Sequence, residues 1–455
     1  MRNIALTFLG CFTILAACSN SDDAEKPVAP IPTGDVTIYS TTNSLTRDLT
    51  RDAVNFSLKD NLAPTSITLN PTEQYQTMDG FGVAITGATC FNLLQMKPED
   101  RHAFLTETFS DDKGFGFSYI RISIGCSDFS LSEYTCCDKK GIENFALQSE
   151  EKEYILPILK EILDINPSIK IIAAPWTCPT WMKVKSLTDL TPFESWTNGQ
   201  LNPAYYQDYA TYFVKWVQAF NAEGIDIYAV TPQNEPLNRG NSASLYMSWE
   251  EQRDFVKTAL GPKFKTAGLA TKIYAYDHNY DYSDIETEKN YPGKMYEDPA
   301  ASQYLAGAAY HNYGGNREEL LNMHKAYPEK ELLFTETSIG TWNSGRDLSK
   351  RLLEDMKEVA LGTINNWCKG VIVWNLMLDN DRAPNREGGC QTCYGAVDIS
   401  NSDYKTIIRN SHYYIIAHLS SVVKPGALRI GATGYADSNI MYSAFENPDG
   451  TYAFV

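Results

Sequence analysis

The sequence has 455 residues, which is enough for a large catalytic domain and a smaller accompanying module. Hydrophobic residues make up 43% and charged residues 21%, as in ordinary globular proteins, and the 12% aromatic content suits either a carbohydrate binder or a tyrosine-rich core. The formal net charge of −17 repels phosphate backbones and anionic membrane surfaces, so it argues against nucleic acid as a partner and favours a neutral substrate.

The N-terminus has the pattern of an export signal. Arg2 precedes an apolar run over residues 4–17 that is too short to span a bilayer comfortably. The run ends in Leu15-Ala16-Ala17-Cys18, which resembles a bacterial lipoprotein signal, with cleavage before Cys18 and a lipid on its thiol. A plain signal peptide followed by a chance cysteine is the alternative. We therefore predict a signal peptide over residues 1–17 and lipidation at Cys18.

Residues 18–35 are polar and proline-rich, which is typical of a disordered tether. The acidic stretch 21–25 is similar to one that directs some bacterial lipoproteins to the cell surface. The expected location is the outer membrane of a Gram-negative bacterium, on its surface or its periplasmic side, with the lipid as the only membrane contact.

Ten cysteines are present, and eight remain if Cys11 is removed with the signal and Cys18 carries lipid. An exported chain meets an oxidising compartment, so pairing among them is expected. Cys390 and Cys393 form an isolated C-x-x-C, and without a second pair or nearby histidines this favours a loop disulfide over a zinc site. Cys136 and Cys137 are adjacent and cannot easily bond to each other.

Past two β-like segments at 36–40 and 66–69, short apolar runs alternate with amphipathic stretches in which apolar residues recur at helical spacing. Eight strands are predicted over 80–85, 117–124, 169–174, 227–231, 272–276, 308–311, 332–335 and 371–374. Helices are predicted between them over 150–165, 205–222, 250–266, 317–327 and 348–366.

This alternation predicts an α/β fold, a (β/α)8 TIM barrel over residues 77–419. A doubly wound sheet is the rival, but the turn Thr86-Gly87-Ala88-Thr89 after the first strand lacks the glycine spacing of a phosphate-binding loop. The β-like segments 36–76 and 420–455 are expected to join in one small all-β sandwich beside the barrel. A complete sandwich would need more strands, so we expect the natural chain to continue past Val455.

In a barrel of this kind the chemistry lies at the C-terminal ends of the strands. The fourth strand leads into Thr231-Pro232-Gln233-Asn234-Glu235-Pro236, and the seventh ends in Phe334-Thr335-Glu336-Thr337. A lone glutamate at such an end is usually a surface or ion-paired group. Two of them, three strands apart around the ring, can instead face each other across the mouth and cleave an acetal. One would donate a proton to the leaving oxygen and the other would stabilise or attack the anomeric centre, and their separation decides between retention and inversion.

The motifs in order identify a family. Asp79 to Thr86, Tyr119 to Gly125, Asp128-Phe129-Ser130, Ala174 to Lys183, the two glutamate segments and Val373 to Leu376 together resemble glycoside hydrolase family 30, the glucosylceramidase-like family. The W-T-x-P-x-W-M-K segment at 176–183 is the most specific of them. The resemblance covers about residues 78–419 and implies that Glu235 is the acid/base and Glu336 the nucleophile.

The residue chemistry agrees with these roles. A nucleophile benefits from a lowered pKa, for which Arg121 at the end of the second strand is the candidate cation. The charge of the nucleophile is expected to raise the pKa of Glu235. Asn234 is expected to bind the sugar 2-hydroxyl.

The resemblance further implies that a group of residues lines the pocket of the sugar whose bond is cleaved, namely Asp128, Trp176, His311, Tyr313 and Trp374. For the tryptophans the alternative is core packing, and for a lone histidine it is a structural role. Trp342 is expected to build an adjacent subsite. Acid, base and nucleophile suffice for the reaction, so no metal or organic cofactor is implied.

The loop Asp379 to Tyr394 follows the eighth strand and differs from the glucosylceramidase form. It is more similar to bacterial relatives that act on β-1,6-glucan, so the predicted activity is a retaining endo-β-1,6-glucanase. Glucosylceramidase is the first alternative and β-xylosidase or xylanase the second. A non-catalytic glycan-binding lipoprotein is a third, although a pure binder has no need of both glutamates. The protein is expected to act as a monomer on a β-glucan or β-glucoside.

Overall fold

The computed structural model describes residues 32–58, 63–282, 284–437 and 440–455. The predicted signal peptide, Cys18 and residues 18–31 of the predicted tether lie outside these ranges. In the part of the chain that is described, no helix has both the length and the apolar character needed to cross a bilayer.

The chain falls into two compact units, and the described residues of the smaller one are 32–38 and 51–57. A two-stranded sheet is formed by Val36–Ser40 and Thr50–Val54. The features described below all lie in the larger unit.

The larger unit contains a closed barrel of eight parallel strands in the order of the chain. They are β1 Gly80–Ala84, β2 Tyr119–Ser123, β3 Lys170–Ala174, β4 Ala229–Val230, β5 Lys272–Asn279, β6 Leu305–His311, β7 Glu331–Glu336 and β8 Cys368–Val373. Parallel pairing of β8 with β1 and of β3 with β4 completes the ring. The predicted α/β barrel is therefore confirmed, with each predicted strand overlapping an observed one.

Helices surround the barrel, as predicted. The α-helical segments are Gly87–Gln95, Pro98–Phe109, Leu156–Ile165, Tyr206–Ala222, Trp249–Phe255, Gly261–Thr266, Tyr291–Tyr296, Pro299–Ser302, Glu318–Ala326, Leu348–Asp355, Leu361–Ile364 and Ser411–Val422. Three of the predicted helices each include a π-helical turn, at Glu151–Ile155, Val256–Leu260 and Met356–Ala360. The side chain of Thr86 accepts a hydrogen bond from the Thr89 amide and caps the first helix.

A four-stranded antiparallel sheet joins both ends of the larger unit, in the order Tyr452–Phe454, Ala444–Glu446, Leu428–Gly434, Ile67–Thr77. N- and C-terminal strands therefore join in one sheet, as predicted, but the segment 36–40, also expected there, pairs with Thr50–Val54 in a separate two-stranded sheet. Smaller sheets are formed by Lys183–Ser186, Asp189–Pro192 and Gln200–Leu201, by Met377–Asp379, Val397–Ile399 and Ile407–Arg409, and by Ile339–Gly340 with Cys393–Tyr394.

The two ends of the barrel differ in chemistry. At the N-terminal end, Lys170 pairs with Asp79 at 2.7 Å, while Lys272 and Lys369 both pair with Glu331, at 2.8 and 2.6 Å. In these ion pairs the charges of the lysines and the acidic residues neutralise each other, and the pairs close the N-terminal end of the barrel. The C-terminal end carries the predicted site residues.

Gly82 in β1 allows β1 and β2 to approach closely. A Cβ atom at this position would lie 1.7 Å from the carbonyl oxygen of Tyr119, its partner across the strand pair. We expect Gly82→Ala to lower the free energy of unfolding by about 3 kcal/mol or more, because backbone rather than a flexible side chain must move. Thermal and urea unfolding measure this effect. Gly240→Ala is the control, since its Cβ would first meet the Asn238 side chain at 3.5 Å, and an equal loss in both variants would contradict the packing argument.

Candidate active site

Two carboxylates lie side by side at the mouth of the barrel. Glu336 is the last residue of β7, and Glu235 follows β4. Both are nearly buried, with 6% and 7% of their surface exposed. One carboxylate oxygen of Glu235, one of Glu336 and a ring nitrogen of His311 all lie within 4.8 Å of one another. Two carboxylates whose oxygens approach this closely fit the carboxyl separation of roughly 5–5.5 Å in retaining glycosidases better than the roughly 6.5–9.5 Å in inverting ones.

Arg121, on β2, is fully buried beneath this pair. Its guanidinium donates to Glu336 Oε2 at 2.6 Å, to Asn234 Oδ1 at 2.7 Å and to Asp277 Oδ2 at 2.9 Å. The neighbouring carboxylates raise its pKa further despite burial, so it is a permanent cation. Arg121 thereby connects β2 with residues at the ends of β4, β5 and β7.

Asp277 is a site residue that the sequence reasoning missed. It lies on β5, is fully buried, and also accepts hydrogen bonds from Thr231 and Thr335, each at 2.7 Å. Burial opposes its ionisation, but Arg121 and His311 outweigh that effect and lower the pKa of Asp277 far below its ordinary value. The signal was an aspartate and a histidine directly after the predicted fifth strand, which in fact continues to Asn279.

His311, at the end of β6, links the two carboxylates through one ring nitrogen. Its Nε2 lies 3.1 Å from Asp277 Oδ1, while its Nδ1 lies 3.4 Å from Glu235 Oε1 and 3.9 Å from Glu336 Oε1. Burial disfavours the imidazolium, but Glu336, Asp277 and Glu235 outweigh it and raise the pKa of His311 to about 9. A proton is therefore held on His311, facing the carboxylate pair.

The pKa values of the two glutamates are shifted in the directions opposite to those expected from the sequence. Burial opposes the charge of Glu235, yet the hydrogen bond and charge of His311, the charge of His278 and a hydrogen bond from Asn238 lower its pKa to about 2. Burial and the charge of Glu235 raise the pKa of Glu336, against His311 and Arg121. The prediction for Glu235 was wrong because it did not include His311, and the prediction for Glu336 was wrong because burial and the charge of Glu235 outweigh the charge of Arg121.

Further hydrogen bonds orient the pair. Asn238 and Asn241, which the sequence reasoning missed, donate to Glu235 Oε2 at 2.7 and 3.3 Å. The hydroxyl of Tyr313 donates to Glu336 Oε1 at 3.0 Å. Because Asn234 accepts from Arg121 through its oxygen, its amino group is the part left for a substrate hydroxyl.

One wall of the site is aromatic. Trp176 and Trp374 stack with their ring centroids 5.1 Å apart, and the Arg121 guanidinium lies 5.1 and 5.3 Å from the two centroids. Asp128 lies at the same mouth, and its buried Oδ1 has no hydrogen-bond partner within the described chain. Burial and the charges of Glu336 and Glu235 raise the pKa of Asp128 to about 7. A carboxyl oxygen of this kind is suited to bind a sugar hydroxyl.

The loop 379–394 borders the same space. Gly388 O accepts from the Ser242 amide at 3.0 Å, and Arg386 pairs with Glu133 at 2.7 Å. The sequence-predicted loop disulfide is confirmed as Cys390–Cys393, whereas the other six cysteines of the described chain are free and buried. The loop is therefore held against the loops that follow β2 and β4.

These parts enclose a cavity of about 440 Å³, the catalytic cavity, which is lined by Asp128, Glu235, Glu336, Tyr313, Trp342, Trp374 and residues of the loop 379–394. The structure thus brings the predicted residues together at one end of the barrel: Arg121, Trp176, Asn234 and His311 lie around the carboxylates and the others line the cavity. Glu235, His311 and Glu336 are also spaced so that they could approach one cation. Hydrogen bonds already engage the carboxylate oxygens of Glu235 and Glu336, and two carboxylates perform acetal hydrolysis without a metal.

Residues 78–423 match the glycosyl hydrolase family 30 TIM-barrel domain, and residues 426–455 match the beta sandwich domain of the same family. The chain belongs to glycosyl hydrolase family 30. The resemblance inferred from the sequence motifs is thereby confirmed, and the chain is a glycosyl hydrolase. Its carboxylate pair lies at the C-terminal end of the barrel strands.

Three proteins similar to this family 30 member are a solved structure and two sequence relatives. The solved endo-beta1,6-glucanase BT3312 has 87% sequence identity and a TM-score of 0.92, over 93% of this chain and 92% of that one. Endo-1,6-beta-D-glucanase BGN16.3 of Trichoderma harzianum is 32% identical over 84% of this chain and 77% of its own length. Putative glucosylceramidase 4 of Caenorhabditis elegans is 28% identical over 95% of this chain and 84% of its own length.

The proton on His311 has a consequence for stability. Its pKa is raised from 6.5 to about 9 in the folded protein, so the folded state holds a proton that the unfolded chain releases between these pH values. The stabilisation is complete below about pH 6.5 and is lost as the pH rises through about 9. We expect the difference in unfolding free energy between wild type and His311→Gln to shrink over this range by on the order of 1–3 kcal/mol.

Urea unfolding at a series of pH values measures this difference. His102→Gln is the control, because His102 is largely exposed and lies 3.6 Å from Glu161, away from the site. A pH-independent difference between wild type and His311→Gln would contradict the protonated state of His311.

Proposed function

We propose that this family 30 hydrolase is a retaining endo-β-1,6-glucanase that works by double displacement. The observation that carries the mechanism is that one carboxylate oxygen of Glu235 lies within 4.8 Å of one carboxylate oxygen of Glu336. The linkage is supported by the 87% identity to an endo-beta1,6-glucanase over 93% of this chain.

In the first step, Glu336 attacks the anomeric carbon, and the bond from that carbon to the leaving oxygen breaks. Arg121 and Tyr313 each hold one oxygen of Glu336, so its position is fixed before substrate enters. Glu235 transfers a proton to the leaving oxygen. Because the proton lies on His311 in the free protein, we propose that it passes from His311 Nδ1 to Glu235 Oε1 across their 3.4 Å contact.

In the second step, Glu235 removes a proton from water, and the water oxygen replaces Glu336 at the anomeric carbon. The released proton returns to the Glu235–His311 pair, which restores the starting state. His311 acts in both steps through Glu235, with Asp277 holding its other nitrogen.

Substitution of the two glutamates tests these roles. Glu336→Gln is expected to lower kcat on β-1,6-glucan by about a thousandfold or more, because no covalent intermediate can form. Glu235→Gln is expected to lower kcat strongly on glucan and much less on an aryl β-glucoside with an acidic phenol, whose leaving group needs little protonation. Rates are measured by reducing-sugar release and by phenol absorbance. Glu194→Gln, at an exposed position, is the control. Unchanged rates in Glu235→Gln and Glu336→Gln would contradict their roles, and equal, near-zero rates in the wild type and in Glu336→Gln would favour a non-catalytic binding protein.

The substrate is tested by a panel of β-1,3-, β-1,4- and β-1,6-glucans together with glucosylceramide. We expect the β-1,6-glucan to be cut into short oligosaccharides, with an early fall in mean chain length and little free glucose. Glu336→Gln serves as the blank. Glucosylceramidase is the second candidate, favoured by the exposed aromatic rings of Trp342 and Tyr313 at the cavity mouth, 53% and 43% exposed. Faster cleavage of glucosylceramide, or release of glucose alone from glucan, would contradict the endo-β-1,6-glucanase proposal.

We also propose that the protein is held on the outer membrane of a Gram-negative cell by a lipid on Cys18 and acts there as a monomer. The support is the sequence Leu15-Ala16-Ala17-Cys18 and the acidic stretch behind it. Cys18→Ser is expected to abolish incorporation of labelled fatty acid and to move the protein out of the membrane fraction. Wild-type protein that carries no label would contradict the anchor, and light scattering of the purified protein tests the monomer.

A further inference from the structure

A second cavity adjoins the catalytic cavity. It has a volume of about 530 Å³, lies over the ends of β6 and β7, and shares Tyr313, Ser338 and Trp342 with the catalytic cavity. We call it the flanking cavity. Its size falls in the range of about 300–1,000 Å³ that is usual for small-molecule sites.

We propose that the flanking cavity is a distal sugar subsite, which binds a glucosyl unit of the glucan chain beyond the two units joined by the cleaved bond. This inference rests on the proposed function, since it takes the neighbouring part of the same substrate as its ligand.

The aromatic wall of the subsite is Trp342, which is 53% exposed. Its ring packs directly against Gly340: a Cβ atom there would lie 1.9 Å from a ring carbon, so glycine is needed at this position. One side of the indole is thus fixed by the backbone, while much of the ring remains free. An exposed, immobilised aromatic ring is suited to stack against the apolar face of a sugar.

The segment that carries Trp342 is held by the disulfide-containing loop. Ile339–Gly340 pairs antiparallel with Cys393–Tyr394, and the Thr341 amide donates to Thr392 O at 3.0 Å. The side chain of Asn343 accepts from the Gly340 amide at 3.0 Å. The platform is therefore formed before ligand arrives, which lowers the entropic cost of binding.

The charged groups of the flanking cavity disfavour an anionic ligand, and its amide groups suit a hydroxylated one. Its two arginines are already paired, Arg317 with Glu358 and Arg351 with Asp355. Among the described lining residues, no other cation is available to bind an anion. The side-chain amide of Asn312 makes no hydrogen bond within the described chain, so it is free to donate to and accept from sugar hydroxyls.

The test measures how kcat/KM increases with chain length for β-1,6-linked glucose oligosaccharides of two to five units. In the wild type, we expect kcat/KM to rise once a unit reaches the flanking cavity. Trp342→Ala is expected to reduce that rise by about tenfold, Trp342→Phe by less, and Asn312→Ala by a few-fold, because each removes contacts to the added glucosyl unit. Tyr452→Ala is the control, since Tyr452 is equally exposed, at 52%, on the C-terminal sheet.

Three outcomes would overturn the subsite. Trp342→Ala and Asn312→Ala could keep the wild-type rise, or they could lower kcat/KM by the same factor at every length, which would mean that neither residue contacts the added glucosyl unit. Wild-type protein that leaves the β-1,6 oligosaccharides uncut while cleaving an aryl β-glucoside would overturn the proposed linkage, and the subsite with it. Thermal unfolding of each variant separates these results from a loss of folded protein.

Discussion

The buried guanidinium of Arg121 is the interaction on which the active end of the barrel depends. It holds Glu336 and Asp277 and also donates to Asn234, so one side chain from β2 connects residues at the ends of three other strands. Removal of this cation would leave the buried carboxylates of Glu336 and Asp277 with His311 as their remaining positive neighbour, which is far more costly than the loss of an exposed ion pair. Trp176 and Trp374 exclude water from it and define the adjoining wall of the cavity.

Arg121 alone cannot balance the charge of the site. The site contains the buried carboxylates of Glu235, Glu336 and Asp277. The two glutamates must approach within the distance that double displacement requires. His311 supplies the second positive charge, with one nitrogen on Asp277 and the other between Glu235 and Glu336. His311 therefore stabilises the close pair of carboxylates, and the same side chain holds the proton that we propose is used in the reaction. The pKa of Glu235 is low in the free protein for this reason, and we propose that the Glu235–His311 pair together is the acid.

The sequence was informative where function is tied to strand ends. Glu235 and Glu336 stood out because the alternation of strands and helices put them at the same end of a barrel. Asp277 was missed because the predicted fifth strand stops at Tyr276, whereas the real strand continues to Asn279. Tyr276 and Asp277 both have positive φ, and the pairing with β6 shifts register there, so the alternation on which strand prediction relies is interrupted. The pKa directions depended on distances to His311, Asn238 and Arg121 that no spacing in the sequence encodes. The contacts of the loop 379–394 with Ser242 and Glu133 likewise join segments far apart in the chain.

The central claim is that Glu336 and Glu235 are close enough for a covalent intermediate and so preserve the configuration of the anomeric carbon. The most direct measurement is proton NMR of the sugar released in the first minutes of β-1,6-glucan hydrolysis, before the anomers equilibrate. The account predicts that the β-anomer appears first and that the α-anomer grows in afterwards by mutarotation. Initial release of the α-anomer would mean inversion and would contradict the nucleophilic role of Glu336.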